Sequence, residues 1–163
     1  MSDHEAAEGG SGPEGRLAAL GLTLPAVVAP LAAYVPAVRS GSMVYTAGQL
    51  PFVEGQLLSA GKVGAEVGAV EAAALARTCA LNALAAAASA AGGLSSIKQI
   101  VKLTGFVASA PDFTGQAQVV NGASELLLEI FGDAGRHARS AVGMAVLPLN
   151  SPVEIELIVE VRD

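Results

Sequence analysis

The sequence predicts an α+β fold, one mixed sheet backed by two helices, and three observations carry that expectation. Residues 153–161 alternate strictly. Val153, Ile155, Leu157, Val159 and Val161 fall on one face and Glu154, Glu156, Ile158 and Glu160 on the other, the mark of a strand with one buried face. Residues 66–91 and 111–131 carry apolar and small side chains at helical spacing and stop at Gly92-Gly93 and Gly132. Residues 37–51 read as strand, Ser40-Gly41 turn and strand. With strands over 97–108 and 141–147, the order is β-β-α-β-α-β-β, a sheet-and-helix layer architecture.

Taken in order, residues 1–13 are rich in Gly, Ser and Glu and read as a disordered tail, leaving 14–163 as a single domain. A short helix fits 14–20, with Gly21 as its cap. Pro25, Pro30 and Pro36 exclude a regular helix over 22–36, so that segment is expected to be extended. Gly48 interrupts a strand pattern, which signals a bulge or a close approach to the backbone. Residues 52–64 read as a loop, and the helix that follows presents Leu75, Cys79, Leu81 and Leu84 among alanines, a face small enough to lie close to a sheet. Pro111-Asp112 opens the second helix. Asn121-Gly122 inside it costs about 1 kcal/mol for the glycine alone, so the pair points to close packing or to function. The last two strands are joined through 147–152, a Pro- and Asn-containing connection that suits an antiparallel return. That pairing would put Arg139, at the mouth of one strand, and Glu154, fifteen residues later, in one pocket.

Composition narrows the function classes. The net charge is −6 and the nine basic residues are scattered, which argues against a nucleic-acid partner. Cys79 is the only cysteine, so neither an internal disulfide nor a cysteine metal site is expected, and a reducing cytoplasm fits. The charge-poor stretches 17–38 and 78–97 are broken by prolines or by Asn82 and Gly92-Gly93, so no membrane span is expected, and no signal-peptide pattern begins the chain. A hydrophobic fraction of 52% against 15% charged residues reflects either alanine richness or apolar surface covered by other subunits. No phosphate loop, metal-ligand spacing or Ser-His-Asp set is recognisable, which favours chemistry without a cofactor.

Arg139-Ser140, Leu147-Pro148 and Val153-Glu154-Ile155-Glu156 together resemble the C-terminal signature of the RidA/YjgF/UK114 family of reactive imine deaminases. Thr46-Ala47-Gly48-Gln49-Leu50-Pro51 is similar to a second family signature, and the likeness extends over residues 34–161. The resemblance implies a chorismate mutase-like subunit, a homotrimer, and a pocket between subunits that hydrolyses enamines or imines of amino acids to 2-oxo acids and ammonia.

It also implies roles. Arg139 would hold the substrate carboxylate, Glu154 would hold the attacking water, and Tyr34, Ala47, Gly48, Asn121 and Ala141 would line the site. Ala47 stands where the family has a serine and Ala141 where many members have a cysteine. These departures favour, as the alternative, a trimer that binds small carboxylates without catalysis. Endoribonuclease activity, for which some members are named, fits the acidic balance less well. The residues keep plain structural readings: an ion pair of Arg139 with Glu129, Asp133 or a neighbouring subunit, a solvated Glu154, a helix-face Asn121 and a core Tyr34. His137 has no family role and reads as incidental.

Overall fold

The structure, a computed structural model, describes residues 10–27 and 32–163. Residues 1–9 of the expected tail, and 28–31 of the expected extended segment, lie outside the described residues. The helices are α1 (Pro13–Ala19), α2 (Ala69–Ala91) and α3 (Gln116–Phe131). The strands are β1 (Ala37–Ser40), β2 (Met43–Thr46), β3 (Phe52–Val53), β4 (Gln56–Leu57), β5 (Ile97–Ala108), β6 (Ala138–Met144) and β7 (Val153–Val161). Five strands form one mixed sheet in the order β1-β2-β7-β5-β6, and β3 and β4 make a small separate ribbon inside the expected loop. This is the chorismate mutase-like arrangement, with α2 and α3 on one face of the sheet.

The alternation of β7 holds residue by residue. Its odd-numbered residues are buried, and with Ile100, Leu103 and Val107 of β5 they face Leu75, Leu84, Leu126 and Ile130 of the helices. Twelve buried residues of α2, nine of them alanine, let the helix press onto this row. Among the described residues α2 alone is long and apolar enough to cross a membrane, but it is the central helix of this core.

Two expectations need correction. β6 and β7 are not neighbours: β5 lies between them, antiparallel to β7 and parallel to β6. The reason is that β6 follows β5 through α3, a helical crossover, and such a connection returns the chain parallel to where it left. The 147–152 connection therefore steps over β5 instead of closing a hairpin. Both long helices also start late, after Gly68 and Gly115 and not at 66 and 111, and β6 begins at Ala138, so Arg139 lies within the strand.

Gly122 explains its own cost. A Cβ there would overlap the Ala73 carbonyl of α2, so the glycine is what lets α3 and α2 cross this closely. Gly122→Ala is expected to lower stability by about 1–3 kcal/mol despite alanine's better helix propensity, because a backbone carbonyl cannot step aside as a side chain can. Denaturant unfolding of the two proteins checks this, and an unchanged midpoint would contradict it.

Candidate active site: two half-sites on one chain

Arg139 stands on the edge strand β6. Its register partner in β5 is Leu103, and that of Ala141 is Gly105, so both point to the helix side of the sheet. There α3 offers one face, spaced as positions three and four apart on a helix must be. Arg139 Nη1 donates to Asn121 Oδ1 at 2.7 Å and to Ser124 Oγ at 3.3 Å, and Nη2 donates to the Ala117 carbonyl at 3.3 Å. A guanidinium has five N–H donors. Three are spent on α3, and two are left to grip a ligand.

The carboxylates suggested as partners are engaged elsewhere. Glu129 pairs with Arg77 at 2.8 Å, and Asp133 with Arg136 at 3.3 Å. Arg139 is thus an oriented cation without an ion-pair partner among the described residues.

His137, which sequence reasoning passed over, belongs to the same cluster. Its Nδ1 lies 2.6 Å from the Gly135 carbonyl and its Nε2 lies 2.9 Å from Ser124 Oγ. A carbonyl only accepts, so Nδ1 carries the hydrogen, and in the neutral ring Nε2 accepts from the Ser124 hydroxyl. Ser124, Leu128, Arg136, His137 and Arg139 line an open cleft of about 300 Å³. The one available signal was periodicity. Ser124 lies one helical turn beyond Asn121, and His137 lies two residues before Arg139, just ahead of β6.

Glu154 occupies the other face of the sheet. It pairs with Phe106 of β5, whose side chain points away from the helices. Gly48 lies over it, because a Cβ on Gly48 would overlap Glu154 Oε1. The backbone shows how Gly48 comes to be there. Tyr45 pairs with Ile158 and Gln49 with Ile155, so four steps along one strand match three along the other, a one-residue bulge. The Leu157 N–H, displaced by the bulge, donates instead to Thr46 Oγ1 at 2.9 Å. Thr46 is buried by that task. Among the described residues no acceptor takes the Gly48 N–H, whereas Ala47 N–H donates to the Pro36 carbonyl at 2.8 Å. Ala47 itself presents only a methyl group.

Beside Gly48 opens a larger cavity of about 870 Å³, reaching Tyr34, Phe52, Leu81 and Leu149. Thr23 and residues 25–27 form part of its wall, so the chain ahead of the sheet borders this cavity. Tyr34 is 58% exposed, a wall residue and not a core tyrosine.

Burial first, and repulsion from Glu156 second, push the Glu154 carboxyl above its usual value. Between the ordinary carboxylate range and that raised value the folded chain holds more protons than the unfolded one, so stability falls as pH rises through this window. Glu154→Gln removes the penalty. Its melting temperature relative to wild type is expected to be higher at about pH 7 than at about pH 4, and paired thermal melts would expose the opposite trend.

The structure therefore groups the expected residues into two sets. Arg139, Asn121 and Ala141 lie on the helix side at the β6 edge, while Glu154 lies on the opposite side under Gly48, which also lines the cavity that Tyr34 borders. The single pocket expected to hold Arg139 and Glu154 within one chain is absent, because β5 separates their strands and they face opposite ways. Among the described residues no group of three or more His, Cys, Asp or Glu is placed to hold a metal ion.

A chorismate mutase-like subunit with an oriented arginine on one face and a raised carboxylate on the other defines the class. The chain belongs to the family described as "YjgF/chorismate mutase-like, putative endoribonuclease", whose pattern matches residues 14–161. It is 44% identical to the Trypanosoma cruzi protein TCP17 over 154 residues, covering 91% of this chain and 96% of that one. Among solved structures it is similar to Atu1372 of Agrobacterium tumefaciens, a protein of unknown function, at 47% identity and a TM-score of 0.86, covering 94% and 95% of the two chains. A Shewanella oneidensis protein described as a putative endoribonuclease matches at 43% identity and a TM-score of 0.89, covering 93% and 100%. Escherichia coli TdcF, solved with bound serine, matches at 29% identity and a TM-score of 0.62, covering 86% and 96%.

Proposed function

We propose that this protein hydrolyses small 2-imino acids, or their enamine tautomers, to 2-oxo acids and ammonia in a pocket shared by neighbouring copies of a homotrimer. The observation that carries the reading is the separation of the two half-sites. An anchored cation with two free donors and a basic carboxylate under an unpaired amide are complementary parts that one chain cannot bring together. The Arg139 face of one copy against the Glu154 face of the next completes them. The helix-free face of the sheet supports assembly, since Val38 and Tyr45 there are 52% and 46% exposed and Val142 is 40% exposed, an apolar surface suited to burial between subunits.

In this pocket the Arg139 fork holds the substrate carboxylate, and Asn121 and Ser124 keep the fork oriented. Glu154, more basic than an ordinary carboxylate, takes a proton from water as that water attacks the imine carbon. Glu154 returns that proton to the nitrogen, the tetrahedral adduct collapses as its hydroxyl proton also passes to the nitrogen, the C–N bond breaks, ammonia leaves and the carbonyl forms. The Gly48 N–H is a donor for the reacting end, and Tyr34 closes the side. Imines hydrolyse unaided, so orientation alone lowers much of the remaining barrier. A cytoplasmic setting, where amino-acid imines arise, belongs to the same reading.

The test is release of 2-oxo acid and ammonia from imines generated enzymatically from several amino acids. Acceleration over buffer supports the proposal. No acceleration across small, acidic and apolar side chains, by a folded oligomer, overturns it. That outcome would favour the second reading, a carboxylate-binding trimer, which the methyl groups at Ala47 and Ala141 and the serine bound to TdcF support.

A further inference from the structure

The geometry points to a second reactive centre in the Arg139 half-site: Ser124 is a nucleophile that His137 activates, able to accept an acyl group from a small carboxylic ester or thioester. An activated serine is recognised by a base within hydrogen-bond reach and a third group that orients the base. Both conditions are met. His137 Nε2 lies 2.9 Å from Ser124 Oγ, and the Gly135 carbonyl holds Nδ1 at 2.6 Å, which fixes the tautomer that leaves Nε2 free to take a proton. The orienting group is a backbone carbonyl in place of a carboxylate. Arg139 Nη1 stands 3.3 Å from the same oxygen, so a guanidinium is in place to steady both the nascent alkoxide and an oxyanion formed on the carbon that bonds to it. The pair opens on the cleft of about 300 Å³, room for a short acyl chain against the exposed Leu128.

The step balances without a further reactant. Ser124 Oγ bonds to the acyl carbon as its proton passes to His137 Nε2, and the carbonyl electrons move onto oxygen beside Arg139. Collapse of that adduct breaks the ester C–O or C–S bond, and the leaving alcohol or thiol takes the proton from His137. Water, deprotonated by the same imidazole, then frees the acid and restores Ser124. This chemistry does not require imine hydrolysis, but it shares Arg139 and Ser124 with the half-site proposed for that reaction, so a small 2-oxo acid on the arginine fork should slow acylation.

The test treats the intact protein with p-nitrophenyl acetate and with a fluorophosphonate ester, follows p-nitrophenol release, and locates adducts by peptide mass mapping. The expected result is a modified Ser124, no adduct at that position in Ser124→Ala, and acylation slowed about 10²-fold or more in His137→Gln, which loses the base. Thermal melts establish that both variants are folded. An unmodified Ser124 in folded wild type, or labelling of Ser124 in His137→Gln at the wild-type rate, overturns the proposal. Because the probes are esters, either result stands whatever the imine assay returns.

Discussion

Arg139→Lys is expected to lower kcat/KM for imine hydrolysis by about 10²-fold or more, chiefly through KM, while the protein stays folded. A lysine keeps the charge but loses the planar fork, and each charge-assisted hydrogen bond to a carboxylate contributes about 1.5–3 kcal/mol. The loss extends beyond ligand contacts. The wild-type side chain is positioned by three donors to Asn121, Ser124 and Ala117, spread over two turns of α3. An ammonium has three donors in all, so a lysine that satisfied the helix would have none left for substrate. Asn121→Ala should therefore reproduce a milder form of the same defect, with KM raised and kcat less affected. Steady-state kinetics on imines of two or three amino acids reads the outcome. A lysine variant with wild-type KM would remove Arg139 from the carboxylate and return it to a purely structural role.

How far the sequence could lead is clear from particular residues. The β7 alternation, the glycine stops of α2 and α3, and the Gly48 bulge were legible because each rests on local periodicity or on a residue with restricted backbone chemistry. Arg139, Glu154 and Asn121-Gly122 stood out from strand pattern and helix propensity, but the roles expected of them came from the family signatures, since a lone charge on a strand looks the same whether it is solvated or holds a ligand. The 147–152 connection carries a turn signal that suggests β6 beside β7, but the helix before β6 decides its neighbour. A crossover helix between β5 and β6 already requires parallel strands, and that longer-range rule outranks a turn signal. His137 escaped for a different reason. Its partners, Ser124 and the Gly135 carbonyl, meet it through the packing of α3 on the sheet edge, and no spacing in a single sequence encodes that contact. The two-sided placement of Arg139 and Glu154 was hidden in the same way, since it depends on strand order and not on distance along the chain.

Mixing two variants that are each impaired at substrate concentrations well below KM is expected to restore activity there, and this is the sharpest consequence of the two half-sites. Arg139→Lys keeps an intact Glu154 half, and Glu154→Gln keeps an intact Arg139 half but should lose about 10²–10⁴-fold in kcat with its base. In a closed ring each pocket takes one half from each of two neighbouring copies. When equal amounts are unfolded, mixed and refolded, the chance that a pocket draws its arginine from a Glu154→Gln chain is one half. The chance that it draws its carboxylate from an Arg139→Lys chain is also one half. About a quarter of the pockets are then wild type, and about a quarter of wild-type activity should return. Each variant refolded alone supplies the baseline, and native mass spectrometry shows whether mixed oligomers formed. If mixed oligomers form and activity stays at the level of the parents, the halves do not meet between chains. Arg139 and Glu154 would then have to work separately, which is the arrangement a binding trimer, or an acylating Ser124 beside Arg139, would allow.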